Sequence, residues 1–294
     1  MKREAALPIK LENNNMNRNS SVLLISIGLV LMAAVTSVQA DVFQPGTVIH
    51  KKYSGFSWLQ PEMEAQPWYF DLAAPPQPLF DDPRFPDDPD RVDALAAYEY
   101  PPNGVWRDLS VDPDRQYFDT IEGYFVPPQT GDYVFFTAFA DRVWIYLSTD
   151  EDPANKQTVL SVMGWSSGSR AWFTSMDYDL DLGRSDKSPY NQWSGPMSVV
   201  DGNKYISLEA GKRYYLLMAH FDPPWAGGDW FAATYKMFGE QDPGDGSEPL
   251  LTGDVIGSYQ KEWEPACTTP VAICTPSTKV SNSSRYYRAL TGTS

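Results

Sequence analysis

The chain has 294 residues, room for one or two domains, and its 42% hydrophobic and 21% charged residues are those of a globular protein rather than a disordered one. Its 38 acidic against 23 basic groups give a net charge of −15. That balance disfavours nucleic acid and anionic membrane surfaces as partners, and it suits neutral glycans and divalent cations.

The chain opens on a segment that reads as a secretory signal peptide, residues 1–40. The apolar run from Val22 to Val35 is shorter than the roughly 20 residues that span a bilayer. Lys10 and Arg18 precede it, and Val38 and Ala40 supply the small residues of a cleavage site after Ala40. Met16 offers a second start, and the absence of Cys near the cut argues against a lipid anchor there. Residues 1–40 hold four of the basic and two of the acidic groups, so the mature chain carries 19 against 36, a net −17. An exported protein with no membrane span in the mature chain is expected, located outside the cell, at its surface or in a periplasm.

From Asp41 to about Phe118 the text is Pro-rich and irregular, as in "DLAAPPQPLFDDPRFPDDPDRVDALAAYEYP", and predicts a long wrapping segment with short strands. "DDPRFPDDPD" reads as a solvated acidic loop. The pattern then sharpens: "TIEGYFVPP" predicts a strand, "QTGD" a turn and "YVFFTAFA" a second strand. In the next run Val143, Ile145 and Leu147 alternate with Trp144 and Tyr146. This period of two with bulky residues on both sides predicts a strand packed on both faces. The two apolar runs meet at Asp141-Arg142, which the reading places at a hairpin tip.

"QTVLSVMGW" continues as a strand, "KYISL" and "RYYLLMAHF" flank the turn "EAGK", and "DWFAATYKMF" closes the series. No segment carries an apolar stripe at helical spacing. An all-β antiparallel sandwich or barrel over residues 41–260 is expected, with 164–196 as a long polar-aromatic insertion. Residues 261–294 read as an irregular tail or linker. There Cys267 and Cys274, the only cysteines, are expected to pair if the protein is exported, closing a short loop worth about 2–3 kcal/mol.

The order of "FPDDPD", "EGYFVPPQTGDYVFFTAFADRVWIYLSTDEDPANK", "GW" at 164–165, "ISLEAGKRYYLLMAH" and "GGDWFAATY" resembles PA14 domains, over roughly residues 45–260. These protective-antigen-type β-barrels occur in secreted bacterial proteins, glycosidases and flocculin-type adhesins. The resemblance implies an antiparallel β-sandwich barrel, generally non-catalytic and often glycan-binding. In lectin-like members two consecutive Asp residues, joined by an unusual peptide bond, hold a calcium ion that also grips sugar hydroxyls. The matching pair here is Ala140-Asp141, so one carboxylate is missing. Asp229, in "GGDW", falls on the loop resembling the family's second ligand-bearing loop. The resemblance thus implies Asp141 and Asp229 as metal ligands, with calcium weakened by the lost charge.

A solvated turn aspartate is the other reading of Asp141, and Arg142 beside it is placed to neutralise its charge. Trp225 and Trp230, beside Gly227, Gly228 and Asp229, make a credible sugar platform, because rings meet the apolar faces of sugars while fixed polar groups meet the hydroxyls. Trp165, Trp172 and Trp193, taken singly, read as core or loop staples. "DYDLDLGRSD", from Asp177, lacks the glycine and the final glutamate of an EF-hand and reads as a half-exposed strand.

His50 and His220 are the only histidines, and neither falls in a zinc or Ser-His-Asp pattern; His220 reads as a satisfied core residue. No enzyme is expected. The function expected is an exported carbohydrate-binding module for a glycan or surface polysaccharide, possible calcium assistance included. The alternative is a structural or protein-interaction module of an envelope or cell-surface assembly, with a degenerate sugar site.

Overall fold

The computed structural model describes residues 41–56, 71–105, 107–108, 116–172, 183–223 and 228–260. The expected signal peptide, the Cys267–Cys274 pair, Trp225 and Gly227 lie outside the described residues, as does most of the Asp177–Asp186 stretch.

The periodicity of two becomes thirteen strands: β1 (Val42–Pro45), β2 (Val48–Tyr53), β3 (Arg91–Leu95), β4 (Glu99–Tyr100), β5 (Arg107–Asp108), β6 (Tyr117–Phe125), β7 (Gly131–Ser148), β8 (Lys156–Trp165), β9 (Met197–Val200), β10 (Asn203–Leu208), β11 (Tyr214–Asp222), β12 (Gly228–Met237) and β13 (Ile256–Gln260). All pair antiparallel. The path β1-β13-β6-β11-β7-β10-β9 forms the sheet, with β12 and β8 also paired to β7 and β2 to β6. Among the described residues a four-residue α-helix, α1 (Gln77–Phe80), interrupts the Pro-rich segment. Among the described residues no helix is long and apolar enough to cross a membrane.

The expected two-faced packing is found. Val143, Ile145 and Leu147 enter the main core with Phe135, Phe139, Leu216, Met218 and Phe231. Trp144 and Tyr146 turn to the other face and join Tyr53, Phe118, Leu217 and Phe221. The Pro-rich segment covers that second face with Leu79, Phe80 and Phe85. It is fastened there by the Trp144 indole N–H, which donates to the Ala74 carbonyl at 3.2 Å. Each such fully buried large side chain contributes about 1.5–3 kcal/mol of apolar burial, so the wrap and the sheet stabilise one another. Trp172 and Trp193, 3% and 4% exposed, are core staples.

One expectation fails. Asp141 is not at a hairpin tip, because β7 runs unbroken for 18 residues through it. What changes at Asp141 is the neighbours. Before it, Tyr133 to Ala140 pair with β12; after it, Arg142 to Leu147 lie between β11 and β8. The second half is flanked by strands on both sides, while the first pairs with β12 along its length and with β10 only at Gly131–Tyr133. The Ala140–Asp141 peptide bond at this change-over is cis.

Candidate functional site

Strand parity builds the site. On β7 Asp141 shares a face with Phe139 and Val143, and on β11 His220 and Asp222 share one with Met218. Asp229 shares one with Phe231 on β12, Asp119 with Ile121 on β6, and His50 with Val48 on β2. All of these apolar neighbours belong to the main core, so the polar residues close one end of it.

There they form a continuous buried chain. His50 donates from Nδ1 to Asp93 at 3.2 Å and from Nε2 to Asp119 Oδ2 at 3.0 Å. His220 donates from Nδ1 to Asp119 Oδ1 at 2.8 Å and from Nε2 to the Ala140 carbonyl at 2.6 Å. The same Nε2 is 3.4 Å from Asp229 Oδ1. Both nitrogens of each ring face acceptors, an arrangement that favours the protonated imidazolium form. Burial opposes the charge on His220, but Asp119, then Asp222 and the Ala140 carbonyl, raise its pKa above the usual value. His50 is raised likewise, with Asp119 and Asp93 overcoming burial. Burial pushes Asp119 up, yet the two histidines hold it below the usual carboxylate range. Flat rings clamp the pair: His220 stacks on Phe231 at 4.6 Å and His50 on Tyr100 at 4.0 Å.

Above this base sit the expected ligand positions. Asp141 is half-buried, and burial pushes its pKa up to about 6, with His220 pulling the other way. Gly164 stands opposite it on β8 with φ 117°, a conformation reserved in practice for glycine. Asp229 is fully buried one residue before Trp230, whose register partner is Ala140. Asp141 and Asp229 are therefore neighbours, brought to one end of the core by β7 and β12. Gly228 pairs with Asp108 on β5.

Trp230 is partly buried and its indole N–H donates to Ser166 Oγ at 3.0 Å; the same hydroxyl accepts from the Phe139 N–H. Trp230 is thus fixed by a polar staple beside the site. The ring open to solvent is Trp165, 40% exposed, which pairs with Ala140 from the opposite side, on β8.

Arg142 does not turn toward Asp141. Alternation sends it to the opposite face, where it lies 4.4 Å from the Trp144 ring and donates to the Asp71 carbonyl at 3.3 Å. Three residues escaped the sequence reading. Asp119 and His50 gave no signal, since their partners are tens of residues away. Asp222, fully buried at the end of β11, was announced only by its parity with His220.

A separate 310 Å³ cleft, lined by Trp193, Tyr214, Asp132 and Lys212, opens where both ends of β7 meet, remote from Asp141.

No protein-family model matches the chain, and no curated protein does. Among solved structures it is similar to the Epithelial Adhesin 6 A domain from Candida glabrata in complex with Galb1-3GlcNAc, at 12% identity and a TM-score of 0.36, over 79% of this chain and 95% of that one. It is also similar to an anti-sigma factor domain-containing protein from Clostridium clariflavum, at 10% identity and TM-score 0.38, over 75% of this chain and 49% of that one. A third is a beta-glucosidase from Kluyveromyces marxianus in complex with glucose, at 15% identity and TM-score 0.33. That match covers 66% of this chain and only 16% of the glucosidase.

Proposed function

We propose that the chain is an exported, non-catalytic carbohydrate-binding module of PA14 type, and that its glycan site is the end of the core around Asp141. The observation that carries this reading is the meeting of Asp141 and Asp229 over one buried histidine, with Trp165 open to solvent beside them. A sugar ring needs fixed polar groups for its hydroxyls and an apolar surface for its C–H face, and this corner offers both. The buried Asp93–His50–Asp119–His220 chain gives the corner its rigidity, so little ordering entropy remains to be lost on binding.

Calcium assistance belongs to the same proposal. The donors are carboxylate oxygens, the type a hard divalent cation prefers. The fully buried Asp222 carboxyl adds a further acidic group beside them. Asp141 and Asp229 would hold the ion, and bound calcium would supply the charge that attracts sugar hydroxyls.

The test is a glycan array probed with the mature chain in calcium and in chelator. Retention of one glycan class, weakened by Asp141→Ala, supports the reading; no retention in either condition refutes it.

One observation favours a second reading, a protein-interaction module with a degenerate sugar site. Among the described residues, no three His, Cys, Asp or Glu side chains enclose a ready metal centre. An array without retention, together with co-purification of a defined surface protein lost on Trp165→Ala, would select it.

A further inference from the structure

The molecule carries a second concave site, at the end away from Asp141. The 310 Å³ cleft opens between the two ends of β7 and the turn that joins β10 to β11. Asp132, on its wall, is separated from Asp141 by about 30 Å of strand at roughly 3.3 Å per residue. Small-molecule sites run from about 300 to 1,000 Å³, so this volume suits one compact ligand rather than a row of sugar units.

Its walls are fixed by the protein's own contacts. The Trp193 indole N–H donates to the Pro196 carbonyl at 2.9 Å, and the Trp193 backbone N–H donates to Asn191 Oδ1 at 3.0 Å. Gly195 lies against that ring, where a Cβ would come within 2.5 Å of it. The Tyr214 hydroxyl accepts from the Glu209 N–H at 3.0 Å, and buried Leu208 completes the apolar lining. Trp193 and Tyr214 are only 4% and 3% exposed, so little of either ring's face is open. A pyranose needs an open aromatic face to stack on, whereas an alkyl group packs against ring edges and Leu208.

The charges at the cleft say what else the ligand carries. Elsewhere Arg170 pairs with Glu99, Arg184 with Asp186 and Lys236 with Asp242. Asp132, Glu209 and Lys212 line the cleft, and none of the three is ion-paired among the described residues. Asp132 accepts from the Ser207 hydroxyl with one oxygen, which leaves the carboxylate its charge. Glu209 and Lys212 are exposed and meet only through the backbone, the Lys212 N–H donating to the Glu209 carbonyl at 3.3 Å. The Lys212 ammonium lies 5.1 Å from the Tyr214 ring, which holds it at the cleft. Two carboxylates facing one ammonium are complemented by a ligand that brings an ammonium of its own together with a carboxylate.

We propose that this cleft binds a small zwitterion of the α-amino-acid type with an apolar side chain. Its ammonium meets Asp132 and Glu209, its carboxylate meets Lys212, and its side chain lies against Leu208, Trp193 and Tyr214. Charge-assisted hydrogen bonds are roughly twice as strong as neutral ones, and fixed walls leave little ordering entropy to lose on binding. The site needs no cation and shares no residue with the Asp141 corner, so it stands or falls apart from the glycan reading.

The experiment follows the Trp193 indole N–H by NMR in the isotope-labelled mature chain, at neutral pH in chelator, as L-leucine is added. A saturable shift is expected. Leucinamide, which lacks the carboxylate, and isocaproate, which lacks the ammonium, should each bind at least about tenfold more weakly. Asp132→Asn/Glu209→Gln should weaken L-leucine by a similar factor with Tm nearly unchanged, because the new amide oxygen still accepts from Ser207. Lys212→Gln, at an exposed position, gives the same reading if the double variant does not fold.

No shift with L-leucine up to about 10 mM, tenfold above the Kd of a millimolar site, would overturn the proposal. Undiminished affinity in the charge variants, or for isocaproate, would overturn it as well. An equal shift with methyl glucoside would make the cleft a second sugar subsite and refute the zwitterion.

Discussion

Without calcium, the protein should gain stability when Asp222 loses its charge. Burial, reinforced by Asp141 and Asp119 and opposed by His220 and the Gln116 N–H, pushes the Asp222 carboxyl from 3.8 up to about 7. A carboxyl that binds its proton more tightly in the folded state makes folding least favourable where it must ionise. Between about pH 4 and pH 7 the folded chain holds a proton that the unfolded chain has released, so stability falls as pH rises, and above pH 7 the whole cost is present.

At about 1.4 kcal/mol per tenfold change in proton affinity, that cost is about 4 kcal/mol. The amide of Asp222→Asn keeps the shape and some of the desolvation cost, leaving a net gain of about 2–3 kcal/mol at pH 8. For a unit of this size that is a rise in Tm of about 5–10 °C. The assay is urea and thermal unfolding of both proteins in chelator at pH 4 and pH 8. The variant should lead at pH 8 and the two should converge at pH 4. Asp141, pushed up to about 6, leaves a smaller slope of the same sign in both. A gain that is absent at pH 8, or equal at both pH values, would refute the claim that burial makes the ionised Asp222 costly to the fold.

Other expectations probe different parts of the corner. Asp119→Asn removes the shared acceptor of two buried imidazolium rings and should cost about 3–5 kcal/mol in urea unfolding at pH 7; a loss below about 1 kcal/mol would mean the rings are neutral. Millimolar calcium should raise the Tm of wild type, and Asp141→Ala should abolish the rise; an undiminished rise would move the cation elsewhere. Trp165→Ala, at a ring 40% exposed, should weaken glycan retention several-fold with Tm nearly unchanged; full retention would remove that ring from the site.

The parts of the fold decided by neighbours in sequence were legible. Alternation across Val143–Leu147 announced a strand buried on both faces, and prolines between Pro75 and Pro102 announced a wrap rather than a sheet. The continuity of β7 through Asp141 was not legible, since a polar pair between two apolar runs normally marks a turn. Its neighbours on β8, β11 and β12 are what keep it extended.

The site divides in the same way. Asp141 and Asp229 were reached through a family resemblance, and Trp230 through its place beside Asp229. The supporting chain was missed because Asp119 meets His220 across 101 positions and His50 across 69. No local spacing carries such contacts. Parity did carry a trace: His220 and Asp222 alternate with the core residue Met218 along β11. The same rule shows why Arg142 cannot neutralise Asp141, as adjacent residues of a strand face opposite ways.

A crystal structure of the mature chain grown in calcium tests the central claim most directly. One cation ligated by both Asp141 and Asp229, at the 2.3–2.6 Å usual for calcium–oxygen contacts, is the result the account predicts. A corner whose carboxylates are closed by water alone, with no cation at Asp141 or Asp229, would contradict it.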